Sequence, residues 1–208
     1  MKLVEDVAIT IVLISAFCVS HSFLASNKVK KAIQKKYGDF IAYYRVAYNI
    51  VSVITLLIIY PYIPLIHITL YDLPNPYDLI ILFLQFSSLL GFIWSAKYFS
   101  FGEFVGFNQI RRLKAGNYIA TDLDERLTLR IEGPYKYSRH PVYFFSILFL
   151  ILRPVMSLTY FIIVVIFVIY FYIASIFEEK RLVEKFGDVY INYQKTVLRI
   201  VPIKIFKA

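Results

Sequence analysis

The chain has 208 residues, 59% of them hydrophobic and 18% charged, and its mean hydropathy is +0.64. That leaves too little polar surface to coat a water-soluble globule, and it points to a polytopic membrane protein. The formal net charge of +9 is divided among three separate polar stretches. It therefore reads as cytoplasmic loops and lipid headgroup contacts, and no nucleic-acid partner is expected.

Cys18 is the only cysteine, so neither an intrachain disulfide nor a cysteine metal cluster can form, and no metal is expected. Lys2 is followed by Glu5 and Asp6, and no small-x-small site closes the first apolar run, so that run is kept as a membrane helix over Val7–Ser26. It ends on the polar edge His21-Ser22. A basic loop follows, with Lys28, Lys30, Lys31, Lys35, Lys36 and Arg45 against Asp39. The second span is expected over Val46–Ile66, with Asn49 near its start and Pro61 and Pro64 near its end. A connector from His67 to Asp78 carries acids but neither lysine nor arginine, and the third span covers Leu79–Phe99.

Beyond it lies a long polar segment, Ser100–His140. Val142–Leu152 is apolar but only eleven residues long, so as a helix it would rise about 17 Å, half a bilayer. Val155–Phe177 is uncharged and long enough to span. The two, joined at Arg153-Pro154, are expected to form a hairpin over 142–177, followed by an amphipathic tail over 178–208. The fold class is thus all-α, with about five transmembrane segments. The whole chain, 1–208, forms one membrane domain: 1–99 three spans, 100–141 a connector, and 142–208 the hairpin and tail. The positive-inside rule puts the N-terminus outside, and the basic loop, the long polar segment and the tail in the cytoplasm.

The stretch with the most chemistry is Gly133-Pro134-Tyr135-Lys136-Tyr137-Ser138-Arg139-His140-Pro141-Val142-Tyr143. A residue before proline is pushed off the α region, and proline suits the first position of a helix. The segment therefore delivers Arg139 and His140 to an open helix N-terminus, whose unpaired N–H groups favour an anion. The tail opens with Glu178-Glu179-Lys180-Arg181. Two carboxylates at a membrane exit are costly against lipid and better placed toward a cavity or a cation. Alone, they would equally serve to mark the interface and solubilise the tail. Gly187 is expected to end a helix, with Tyr190 and Tyr193 on one face of the next.

Taken together, Gly133-Pro134-Tyr135 with Ser138-Arg139-His140-Pro141-x-Tyr143, then Glu178-Glu179-x-x-Leu182 and Phe186-Gly187-x-x-Tyr190-x-x-Tyr193, resemble the integral-membrane S-adenosylmethionine-dependent methyltransferases. These include isoprenylcysteine carboxyl methyltransferases and phospholipid N-methyltransferases. The resemblance covers about Gly133 to Pro202. A looser likeness, carried by His21-Ser22-x-x-Ala25-Ser26, Phe104–Gln109 and Arg153–Ser157, is to the methanethiol S-methyltransferase branch.

The resemblance implies S-adenosylmethionine as cofactor and methyl transfer to a lipophilic or small hydrophobic acceptor, a thiol or a prenylcysteine carboxylate. Membrane lipids and that acceptor are the implied partners. The cofactor set would be Pro134, Tyr135, Tyr137, Arg139, His140, Pro141, Tyr143, Glu178 and Glu179. Arg139 and the Pro141 helix start suit its carboxylate, the two glutamates its ammonium or ribose hydroxyls, and the tyrosines its adenine or sulfonium. Arg139 and Glu179 are also the candidates for a catalytic role, by positioning, since methyl displacement needs alignment and dryness more than proton transfer. His21, Ser22, Asn49 and Arg181 are candidates for the acceptor, although the first three would equally serve as interhelical packing residues. Phospholipid amine N-methylation, a non-catalytic scaffold and a transporter remain the rival readings. The scarcity of intramembrane charge argues against the last.

Overall fold

A computed structural model of the chain describes residues 1–202. It is built on nine helices among these residues. Helix α1 is Lys2–Ala25, α2 is Asn27–Tyr37 and α3 is Tyr44–Ile59, with α4 at Tyr77–Ala96. Short helices α5 (Phe101–Val105) and α6 (Phe107–Lys114) break up the polar segment. The rest are α7 (Pro141–Ile151), α8 (Leu158–Phe186) and α9 (Asp188–Thr196).

The described residues hold four helical segments long and apolar enough to cross a bilayer: Lys2–Ala25, Asn27–Tyr62, Tyr77–Ala96 and Leu158–Phe186. The fifth expected segment is the short apolar helix α7, too short to cross alone. This is an all-α, multi-pass integral membrane protein. Large apolar side chains such as Val12, Phe23 and Phe83 lie 63–68% exposed along the spans, which in a bilayer is a lipid-facing surface. Where spans pack, small hydroxyl residues are buried. Thr10, Ser88, Ser95 and Ser175 are each at most 3% exposed, and each donates to a carbonyl three or four residues back.

The chain divides into two compact units. One comprises Met1–Ile11, Pro64–Tyr98 and the chain from Leu129. Here α4 packs on α7, and the approach is close because Gly91 lacks a side chain: a Cβ there would fall inside the Phe145 ring. Gln85 Nε2 donates to the Phe149 carbonyl at 2.9 Å across the same contact.

At the other end of the α7–α8 hairpin, strands β1 (Thr69–Asp72) and β2 (Val155–Ser157) pair antiparallel. They replace the connector and the bend that the sequence predicts there. The pairing is extended by the Leu73 N–H to Pro154 O at 3.0 Å and the Leu158 N–H to Ile68 O at 2.8 Å. Thr159 sits beside it, its hydroxyl accepting from the Ile66 N–H and donating to Pro64 O.

Helix α8 is the longest element. The stretch from Leu158 to Phe177 rises about 30 Å, one hydrocarbon thickness, so Glu178 and Glu179 fall at the exit. The expectation of a tail beginning at Glu178 is refined: the helix runs on without a break to Phe186, and Gly187 turns the chain into α9. Val197 is extended and the chain bends over 199–201, and the end of the expected tail, residues 203–208, lies outside the described residues.

The second unit comprises Val12–Ile63 and Phe99–Thr128. Its core is Ile14, Phe17, Cys18, Ile41, Ala42 and Tyr48. Buried charge holds it as well. Lys30, 2% exposed, meets Asp124 Oδ1 at 2.7 Å, and Arg45 reaches Asp124 Oδ2 at 3.1 Å and Glu125 Oε2 at 2.6 Å. Gln109 Nε2 donates to the Asp124 and Glu103 carbonyls, tying α6 to the same knot. A pair of charges withdrawn from water this far is tolerated only because each meets its opposite.

Candidate functional site

The 133–143 segment begins with a 3-10 turn at Gly133–Lys136. Gly133 has φ +56°, and a Cβ there would collide with the Tyr98 ring, so only glycine serves both the turn and the packing. Ser138 is buried, and its hydroxyl donates to Ile200 O at 2.7 Å. The Arg139 N–H donates to Leu198 O at 3.0 Å and the His140 N–H to Arg199 O at 2.9 Å. The segment is thus laced edge to edge with the returning tail. Pro141 opens α7, with His140 held off the helical region at φ −126°, ψ 62°.

The α7–α8 hairpin brings the two glutamates back to this loop. Arg139 grips Glu179 with Nε at 2.7 Å and Nη2 at 3.1 Å, while its Nη1 donates to Gln194 O and Val197 O at 2.9 and 2.7 Å. Glu179, 2% exposed, also accepts from His140 Nε2 at 3.2 Å, Gln194 Nε2 at 2.9 Å and Arg199 Nη2 at 3.2 Å. Five contacts saturate a carboxylate, so Glu179 is the hub of a buried knot.

Glu178 differs. Its side chain is 37% exposed, and it accepts from the Tyr143 hydroxyl at 3.0 Å with His140 Nδ1 at 3.5 Å. The His140 ring lies parallel to Tyr143, centroids 5.3 Å apart, and Tyr143 in turn stacks on Phe171 at 5.2 Å.

Both His140 nitrogens therefore face carboxylate oxygens. A carboxylate only accepts, so both contacts act as hydrogen bonds only when the ring carries both protons. Burial by itself would push the His140 pKa down, but Glu178 and Glu179 together outweigh it and hold the pKa above the ordinary histidine value. Nearby, burial raises the Tyr135 phenol above its usual range, with Arg130 opposing and Glu178 reinforcing. The Tyr193 hydroxyl donates to the Tyr135 carbonyl, so α9 braces the loop from behind.

Of the residues singled out from the sequence, Pro134, Tyr135, Arg139, His140, Pro141, Tyr143, Glu178 and Glu179 fall in this one unit with Arg181. Pro134 and Pro141 are buried, Tyr137 is 47% exposed, and Arg181 lies one helical turn past Glu178, close enough to interact with it electrostatically. His21, Ser22 and Asn49 fall in the other unit.

In that other unit the Ser52 hydroxyl gives its proton to Tyr48 O at 2.8 Å, so His21 Nδ1, 2.9 Å away, donates to Ser52. His21 Nε2 lies 2.6 Å from the Tyr48 hydroxyl, so both ring nitrogens are engaged by α3. Asn49 donates to the Phe104 and Val105 carbonyls at the end of α5. Ser22 is exposed.

Gln194 and Arg199 belong to the knot and lie outside the site expected from the sequence, while Ser138, part of the loop motif but given no role there, ties the loop to the tail carbonyls. Gln194 sits next to Tyr193, whose spacing from Tyr190 had been noted, but a glutamine in a polar tail carries no signal of its own. Among the described residues no group of three or more His, Cys, Asp and Glu is placed to hold a metal ion.

A family model described as phospholipid methyltransferase matches residues 90–189, the stretch that contains the loop, the hairpin and both glutamates. The chain is 24% identical over 202 residues to methanethiol S-methyltransferase 1 of Bradyrhizobium diazoefficiens, covering 95% of this chain and 67% of that one. It is 26% identical over 210 residues to methanethiol S-methyltransferase of Crocosphaera subtropica, covering 97% and 76%. No solved structure gives a significant match.

Proposed function

The chain being a membrane methyltransferase, we propose that it takes S-adenosylmethionine as donor at the 133–143 loop and methylates a small hydrophobic thiol. The observation that carries the donor reading is the meeting of the two motif halves across the α7–α8 hairpin, Arg139, His140 and Tyr143 against Glu178 and Glu179.

S-adenosylmethionine supplies a methyl group on a sulfonium, carried with an ammonium, a carboxylate, ribose hydroxyls and an aromatic base. The side chains fit that inventory. Glu178 keeps a half-exposed carboxylate for a cation or hydroxyls, and the stacked His140, Tyr143 and Phe171 rings give it an aromatic flank. Arg139 and Glu179 act by positioning: their groups are spent on one another and on the tail, which fixes the edge along which Glu178 and Tyr143 stand. Arg181, one turn past Glu178, is the cation we assign to the acceptor side.

The thiol reading is supported by the names of the two relatives. A second reading, transfer to a phospholipid amine, is favoured by the description of the family model. The positive-inside rule supports an N-terminus outside and a cytoplasmic site loop, where the donor is available.

Purified protein in lipid discs, incubated with methyl-labelled S-adenosylmethionine and separately with an alkyl thiol, a prenylcysteine and phosphatidylethanolamine, tests both parts. Label in the thiol is the expected result. Label in the amine or the prenylcysteine alone would move the acceptor, and label in none would remove the donor reading.

A further inference from the structure

The donor's carboxylate was expected to fall to Arg139, yet the geometry points elsewhere. Arg139 is 9% exposed in its side chain, and its Nε, Nη1 and Nη2 all donate within the protein, so an incoming carboxylate would have to displace Glu179 or the tail carbonyls. Arg199 is the other guanidinium of the knot. It makes a single hydrogen bond among the described residues, Nη2 to Glu179 Oε2 at 3.2 Å. Its Nε is buried and finds no hydrogen-bond partner among the described residues, and its side chain is 28% exposed. A buried N–H left without a partner is costly, and an anion would relieve it.

Two further contacts hold Arg199 ready. Its guanidinium carbon lies 5.4 Å from the Tyr172 ring centroid on α8, and its backbone carbonyl accepts from the His140 N–H at 2.9 Å. The ring limits where the planar fork can turn, and the backbone bond ties its position to the loop. We propose that Arg199 is the donor-carboxylate receptor of this site, discriminating nucleoside donors that carry a carboxylate from those that lack one. The inference rests on the donor reading given above and deepens it: Glu179 neutralises half of Arg199 and the ligand's carboxylate completes its charge pairing.

The test is calorimetric titration of the folded protein in lipid discs with S-adenosylhomocysteine and with its decarboxylated counterpart. Wild type is expected to bind the carboxylate-bearing ligand about tenfold more tightly or better, the worth of one charge-assisted pair. Arg199→Gln should lower affinity for S-adenosylhomocysteine to the decarboxylated level while leaving affinity for the decarboxylated ligand unchanged. Arg199→Lys, which keeps charge without the fork, should fall between and serves alone if Arg199→Gln does not fold. Equal losses for both ligands, or a discrimination unchanged by either variant, would overturn the proposal. If wild type binds neither ligand, the donor reading itself fails, an outcome separate from the loss of discrimination.

Discussion

Arg139 and Glu179 lie forty residues apart and meet through two parallel contacts, at 2.7 and 3.1 Å, with side chains 9% and 3% exposed. A guanidinium and carboxylate so deeply withdrawn from water form a joint rather than a surface ornament. Removing one partner leaves a buried charge unpaired. Glu179→Ala should therefore cost about 3–5 kcal/mol of stability. Glu178→Ala, at the more exposed carboxylate, should cost visibly less. Thermal unfolding of the two variants in one detergent checks the order, and equal losses would contradict the hub assignment.

The His140 imidazolium gives a pH signature whose sign follows from its partners. Its folded pKa is raised above the unfolded value of 6.5, so its contribution is complete below that pH and is lost as the pH climbs through the raised value. The stability advantage of wild type over His140→Gln should be largest in mild acid and shrink on the alkaline side. Melting temperatures of both proteins from about pH 6 to about pH 9 measure it. An advantage that grew with pH would mean that His140 is neutral in the knot.

Gly133 offers a test of how the loop is shaped. A side chain there meets both an unfavourable φ of +56° and the Tyr98 ring. Gly133→Ala should lose about 1–2 kcal/mol from the backbone alone and more from the collision. Pairing it with Tyr98→Ala should recover the collision and leave the backbone cost, which a double-mutant comparison of melting separates.

How much of this was legible in the sequence follows from range. The spans came from runs of apolar residues, a local property, and the segment of α7 was read as short because the eleven apolar residues Val142–Leu152 are bounded by Pro141 and Arg153-Pro154. The meeting of the loop with Glu178 and Glu179 was also legible, because a hairpin of two apolar helices returns the chain to its starting edge. What escaped depends on pairings between distant residues with no local pattern. Strands β1 and β2 are four and three residues long, too short to show alternation. Lys30 looked like one more lysine of a basic loop until Asp124 came to meet it. Arg139 was read as an anion receptor because it neighbours a helix start, while the tail supplies the partners that occupy it.

The second unit makes an independent prediction. Lys30→Met leaves Asp124 with Arg45 but without its closest cation, and Asp124→Asn removes the carboxylate that Lys30 Nζ meets. Each should destabilise by about 3–5 kcal/mol, and Lys30→Met combined with Asp124→Leu should recover much of the loss, because an apolar pair avoids the desolvation cost of the charges. Chemical or thermal unfolding of the three variants reads this directly, and additive losses in the double variant would contradict it.

The central claim is that the loop and the returning glutamates form a donor site. The most direct measurement is calorimetric titration of S-adenosylhomocysteine into folded wild type and into Glu178→Gln, which leaves the Arg139, Gln194 and Arg199 contacts to Glu179 in place. Saturable binding to wild type, weakened about tenfold or more in Glu178→Gln, is the predicted result. No binding to a demonstrably folded wild type, or identical affinity in the two proteins, would contradict it.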